Sequence, residues 1–242
     1  MRCVKIHILI LAMFFSLNLA YQCITEDKST PDWDILVFSQ HWPGTMCKSW
    51  KQNNLNHHCR FPFIKNRWSI HGIWPIKMGT NNCHPSYCND TLVFDPEQIK
   101  SIEQDLEQAW INVYIENSTY GFWAHEWEKH GTCGLSIKDL NSQLKYFSQG
   151  IYWNKKYDLS SMLSAANIVP SNVRELSFEE LGLAVQVNTS KQPKFQCWWE
   201  NGDIQYLEEI HICFDKQLKI IDCPEMFHKC DTSKGVIYPI EK

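Results

Sequence analysis

The chain has no CxxC pair, no internal repeat, no low-complexity tract and no Gly/Ser-rich linker in its 242 residues. Without CxxC pairs, a cysteine-based zinc site is disfavoured. Without repeats or linkers, the sequence reads as one domain. After the first twenty residues no apolar run approaches the roughly 18 residues that a membrane-spanning helix needs. Basic charge is also scarce: the formal net charge is −4.

What is present points to export. Met1 to Ala20 reads MRCVKIHILILAMFFSLNLA, with a basic start, an apolar middle and a small final residue. That is the pattern of a secretory signal peptide, with residues 21–242 as the mature domain. Cleavage would remove Cys3 from the 11 cysteines and leave an even number. In an exported chain an even number reads as disulfides. A mature chain of about 220 residues also buries a substantial core without their help.

The pattern of elements is mixed. Trp33 to Phe38 (WDILVF) reads as a strand. Asp95 to Trp110 reads as a helix, with Asp95 as cap, Pro96 in the first position and an apolar stripe of Ile99, Ile102, Leu106 and Trp110. Leu140, Leu144, Phe147 and Ile151 outline another. Ser177 and Glu180 form a capping box ahead of Leu181 to Val187. Beyond Lys194 the pattern turns to strands: Ile210, Ile212 and Phe214 alternate with other residues, and Leu218 to Ile221 can pair with them. Strands and helices do not alternate regularly. The expected class is therefore α+β, a mainly antiparallel sheet with packed helices in a disulfide-stabilised single domain.

Gly121 to Cys133, GFWAHEWEKHGTC, carries the densest chemistry. At about 100° per residue, and taking Phe122 as zero, Glu126 falls near 40°, Lys129 near 340°, His130 near 80° and His125 near 300°. An acid, a cation, imidazoles and a ring then share one helix face, and Gly131 is a plausible stop. Two rival readings stand beside this. A zincin helix carries HExxH, whereas His125 and His130 are spaced HExxxH, roughly 140° apart and a poor fit to one ion. A solvated charged helix end is the plainer alternative, since Glu and Lys at such spacing often simply pair.

Trp68 to Pro75, WSIHGIWP, places His71 in an apolar run that suits a buried strand. Taken alone, such a histidine is more often a hydrogen-bonded core residue. Together, however, WSIHGIWP and HEWEKHGTC resemble the two signature segments of the ribonuclease T2 family of secreted acid ribonucleases, close to FTIHGLWP and HEWxKHGTC. SQHWPGTMC, from Ser39 to Cys47, is similar to the family's opening strand and first cysteine. The resemblance covers essentially the whole mature chain. It implies an endoribonuclease that cuts single-stranded RNA to 2′,3′-cyclic phosphate ends; the HExxxH spacing and the absence of CxxC point to a metal-independent reaction without cofactor, and DNA, which lacks the attacking 2′-hydroxyl, should be spared. It implies His130 as base, His71 as acid, Lys129 with Glu126 around the charged phosphorus, and His125 on phosphate. Trp74 and Phe122, with His41 as a further candidate, would touch bases. It also implies the disulfides Cys47–Cys59, Cys88–Cys133, Cys197–Cys230 and Cys213–Cys223. Cys23 and Cys83 remain to pair with each other, with Cys83–Cys133 as the rival pairing.

Ile76 stands where the family usually has an acidic residue, so a base-reading hydrogen bond is missing and base preference is not carried over. Asn89, Asn117 and Asn188 head glycosylation sequons. A monomer is expected, either secreted or in the lumen of a lysosome or vacuole. The alternative is a secreted signalling or inhibitory protein on the same fold that binds without cutting. Such a relative would be expected to lose a catalytic histidine, and this chain keeps His71 and His130.

Losing the signal segment removes Arg2, Lys5 and His7, so the net charge of −4 becomes −6 with nine histidines left. A charge of that sign repels RNA at neutral pH. Protonating all nine would bring −6 to +3. Affinity should therefore rise as pH falls through the histidine range, and we expect kcat/KM to peak at about pH 5–6. The check is kcat/KM against pH at fixed ionic strength. A maximum at pH 8 or above would require a different acid–base pair.

Overall fold

The strand Ile35–His41 (β1) is buried at every position, because it lies at the centre of a sheet covered on both faces. The computed structural model describes residues 31–79, 84–227 and 229–241. In it β1 runs antiparallel between β2 (Ser69–Ile76) and β5 (Ile204–Phe214). The seven-stranded sheet has the order β2-β1-β5-β7-β3, with β3 at Glu175–Leu176 and β7 at Val236–Ile237. β4 (Lys194–Glu200) and β6 (Ile220–Ile221) also pair with β5. Pairing is antiparallel except for β5 with β7. The helices are α1 (Pro43–Asn53), α2 (Glu103–Ala109), α3 (Thr119–Lys129), α4 (Gln143–Lys156), α5 (Leu159–Ala165) and α6 (Phe178–Thr189). This is the expected α+β class in a single domain.

Alternation along the strands divides the interior. Leu36, Phe38, Ile70, Ile73, Ile210, Ile212 and Phe214 join a large cluster with Trp110, Trp123, Trp127, Phe147 and Trp153. Trp153 stacks on Phe214 with ring centroids 4.0 Å apart. Ile35, Val37, Ile76, Cys213, Cys223 and Phe227 form a smaller cluster on the opposite sheet face. Each fully buried aromatic or large aliphatic side chain contributes about 1.5–3 kcal/mol, so the large cluster dominates the stability.

Most expected elements are present, with shifted limits. The 95–110 segment is capped by Asp95, with Pro96 following, but opens as a 3₁₀ turn, Pro96–Ile102, before α2. The three-residue step from Ile99 to Ile102 fits that tighter winding. The 140–151 stripe differs more. α4 begins at Gln143 behind a Ser142 cap, and its buried face is set by Tyr146, Phe147, Gly150, Ile151 and Trp153. Leu144 is exposed instead, because the large aromatics fix which side of the helix meets the core. The Ser177–Glu180 capping box forms as expected.

The structure contains the disulfides Cys47–Cys59, Cys88–Cys133, Cys197–Cys230 and Cys213–Cys223. Cys23, Cys83 and the 1–20 segment lie outside the described residues. Among the described residues no helix is long and apolar enough to cross a membrane.

Cys88–Cys133 spans 45 residues, a loop whose closure is worth roughly 4 kcal/mol in the unfolded chain. A Cys88→Ser/Cys133→Ser double variant is expected to lose about 2–5 kcal/mol in urea unfolding. An unchanged midpoint would show that neighbouring contacts already hold the end of α3.

Candidate active site

Two irregularities in the sheet build the site. On β2, Gly72 pairs with Ser39 and Ile70 with Gln40, so His71 is an extra, unpaired residue in a bulge. A bulge re-aims its side chain. Here it turns His71 away from the large core and onto the sheet face that carries Ser39. The indole of Trp110 donates to the His71 carbonyl at 2.9 Å and pins the bulge. On β5, Glu209 pairs with Gln196 and Leu207 with Cys197, leaving Glu208 as a second extra residue.

His71 Nδ1 lies 2.6 Å from Glu209 Oε1. An ionised carboxylate only accepts, so Nδ1 is the donor and the proton-bearing position. The other carboxylate oxygen of Glu209 accepts from Ser39 Oγ at 2.8 Å and from His211 Nε2 at 2.7 Å. Burial pulls the His71 pKa down, but the charge and hydrogen bond of Glu209, with Glu126 and Glu208, raise it to about 9. Glu209 shows the complementary effect. Burial would raise it, but His71 and His211 hold it well below the usual carboxylate range.

α3 supplies the opposite wall. Ser118 caps it through Gly121 N, and the helix carries Trp123, Glu126 and Trp127 to its buried side. Burial raises the Glu126 pKa to about 7, against the lowering effects of His71, Trp74 and Lys129. Trp74 Nε1 donates to Glu126 Oε2 at 2.9 Å, and Glu126 Oε1 is 3.9 Å from His71 Nε2. His130 is not on the helix proper: it is the C-cap, with φ −117° and ψ −47°. Burial, with the charges of Lys129, His125 and His71, holds its pKa well below 6.5. Gly131 follows, but not as a left-handed stop. A Cβ there would meet the Trp127 ring at 2.4 Å, so close approach is what requires glycine.

The aromatic candidates converge. The Trp74 ring is 4.9 Å from that of His71 and 5.5 Å from that of His130. Phe122 is 6.1 Å from His71 and 6.5 Å from His41, and His41 is 5.5 Å from His71. His41 is buried with neither ring nitrogen hydrogen-bonded. Burial and the His71 charge lower its pKa to about 3. His125 is exposed at the rim.

Two expectations need correction. His125, Glu126 and His130 each offer a ligand atom, and these lie within 4.8 Å of one another. The helix-wheel spacing therefore understates how near the two rings come, at 6.1 Å between centroids. Ile76, in turn, is buried against Ile35, Val37, Cys213, Cys223 and Phe227. It is a core residue, and an aspartate there would be a buried charge rather than a reader of bases.

Sequence reasoning missed Glu209, Ser39 and His211. The signal lay in LEEIHICF, where Glu209 and His211 share one face of a strand whose other face holds Ile210 and Ile212. Gly72 is the other tight point: a Cβ would meet Glu126 Oε2 at 2.1 Å and Trp74 Nε1 at 2.2 Å. Gly72→Ala is expected to cost about 1–3 kcal/mol and to shift Trp74 fluorescence. Native stability and emission would show that the two walls are further apart in solution.

The model described as "Ribonuclease T2 family" matches residues 33–223. The chain is 34% identical to ribonuclease T2 of Sus scrofa over 215 residues, 87% of this chain and 99% of the relative. It is 32% identical to ribonuclease Oy of Magallana gigas over 194 residues, 79% and 88% of the two chains. The fold is similar to that of RNase NT solved with 5′-AMP, with TM-score 0.73 and 26% identity over 86% of this chain and 99% of that one. It is also similar to human RNase T2, with TM-score 0.69 and 29% identity over 87% and 100%. The protein belongs to the ribonuclease T2 family and is an endoribonuclease.

Proposed function

We propose that the protein cleaves single-stranded RNA by metal-independent transphosphorylation. The observation that carries this is the opposite protonation setting of the two histidines whose rings lie near Trp74. His71 is held protonated by carboxylates, and His130 is held neutral by burial and cations. Pairs of titratable groups pushed apart in this way divide acid and base roles. His130 takes the proton of the 2′-hydroxyl, whose oxygen then bonds to phosphorus. The phosphorus–5′-oxygen bond breaks, and His71 Nε2 gives its proton to the departing oxygen. The product is a 2′,3′-cyclic phosphate, which water later opens to a 3′-phosphate. DNA lacks the attacking hydroxyl and is spared.

Lys129 offsets charge on the phosphoryl oxygens. Glu126, neutral below about pH 7, donates a hydrogen bond to one of them. His125 at the rim holds phosphate. Phe122 and the face of Trp74 meet bases, since stacking tolerates any base; His41 is buried and instead lies near the rings of His71 and Phe122. The indole N–H of Trp74 is already committed to Glu126, so only its face is free. Residues 1–20 act as signal peptide and 21–242 as the mature monomer, secreted or held in a lysosomal or vacuolar lumen. Asn117 and Asn188 are exposed and Asn89 is half-buried, and all three are proposed to carry glycans.

His71→Ala and His130→Ala should each lower kcat by about 10²–10⁴ with the fold retained, while His125→Ala should mainly raise KM. EDTA should leave cleavage intact. Activity lost in chelator and restored by zinc would instead place an ion at His125, Glu126 and His130. With His130 low and His71 at about 9, the pair stays correctly protonated through neutral pH. The decline above the acidic optimum should then appear mostly in KM and in the Glu126 proton lost near 7. A decline confined to kcat and centred well away from pH 7 would overturn the role assignment.

A further inference from the structure

We propose that Glu209 is the positioning residue of this site: it takes the Nδ1–H of His71, fixes the ring in the β2 bulge, and thereby directs Nε2 at the departing 5′-oxygen. The proposal rests on the reading of His71 as the acid, and the experiment below separates the two.

The geometry is over-determined. Glu209 is 2% exposed, and a buried carboxylate is tolerated only when its lone pairs are met. Three donors meet them: His71 Nδ1 on one oxygen, and Ser39 Oγ and His211 Nε2 on the other. They come from three adjacent strands, β2, β1 and β5 itself. The carboxylate cannot follow His71 if the ring turns, because its second oxygen is held twice. A ring flip would therefore break the 2.6 Å bond and leave a buried charge under-satisfied. Only Nε2 remains free to face substrate. It is the His71 nitrogen nearer Glu126, on a side chain that keeps 28% exposure. A histidine donating both protons, one to a fixed carboxylate and one to a reacting oxygen, is held in one orientation for proton transfer.

The proton affinity of His71 is set from several sides. Glu208 and Glu209 face it from β5 and Glu126 from α3, with His125 on α3, His130 at its C-cap and His41 on β1 also near. Of the three carboxylates, Glu209 has the largest effect and hydrogen-bonds the ring directly. Removing its charge while keeping its shape should lower the pH at which His71 loses its proton. Keeping the charge while shortening the reach should disturb orientation instead.

The test compares His71→Ala, Glu209→Gln and Glu209→Asp in the whole protein on two substrates. One is RNA. The other is a nucleoside 3′-(4-nitrophenyl phosphate), whose leaving group needs no acid. On RNA, Glu209→Gln is expected to move the His71 limb of kcat, which lies at about 9 in the native protein and so above the Glu126 step near 7, down by more than about one pH unit and to lower kcat by about 10- to 100-fold. It should lose much less on the aryl ester. Glu209→Asp should leave the limb near its native place and lower kcat on RNA. A Gln variant with an unmoved limb, or one that loses equally on both substrates, overturns the proposal and leaves Glu209 a structural residue. Should Gln fail to fold, Asp decides: native kcat on RNA overturns the proposal. His71→Ala losing as much on the aryl ester as on RNA overturns the acid reading, and the directed Nε2 with it. His71→Ala that spares the aryl ester, beside a Gln variant with an unmoved limb, overturns the positioning role alone.

Discussion

A polar site set in the middle of a buried sheet survives only if each of its buried charges is met, and here the Glu209 carboxylate meets several at once. It joins Ser39 on β1, His71 on β2 and His211 on β5, three adjacent strands of the sheet. Its cost in desolvation is offset by three donors and by the charge of His71. The same contact that lets the strands carry polar groups in this position also sets the proton affinity of His71. Stability and chemistry therefore share one interaction, and the site cannot be loosened without disturbing the sheet.

The tryptophans serve the same end. Eleven in one chain suggest a stacking surface for bases, yet the structure spends most of them as scaffold. Trp110 Nε1 holds the His71 carbonyl, and Trp123 Nε1 holds the Trp110 carbonyl. Trp127 ties α3 to Leu92, and Trp42 ties the start of α1 to Pro239. A buried indole must place its N–H somewhere, and in these four the partner is a backbone carbonyl. A chain of indoles thus connects the β2 bulge to α3, the two elements that carry His71 and Glu126. Trp74 instead places its N–H on Glu126, with its ring near those of both His71 and His130.

The charges around His71 respond unequally to pH. Three carboxylates, Glu126, Glu208 and Glu209, surround His71 in a protein that is itself acidic. For a polyanionic substrate this is an unfavourable neighbourhood at neutral pH. Burial raises Glu126 and Glu208 toward neutrality while Glu209 stays ionised. On mild acidification Glu126 and Glu208 therefore lose their charge before Glu209 does.

The sequence alone determined the class of the fold, the capping of 95–96 and 177–180, and the two segments that carry His71, Glu126, Lys129 and His130. Those features are local: caps, alternation and short motifs act within a few residues, so they can be read without knowing the partners. The four described disulfides came only through resemblance, since spacing does not fix pairing. Tertiary structure decided the rest. The helix-wheel reading placed His130 on the face of α3, whereas it sits at the C-cap, with φ −117° and ψ −47°. Ile76 read as a lost base contact and is a core residue, because the sheet assigns its face. Glu209 passed unnoticed because its meaning depends on a bulge in β2, 138 residues away in sequence. Register and bulges are set by packing between strands far apart in the chain, and no local pattern of residues encodes them.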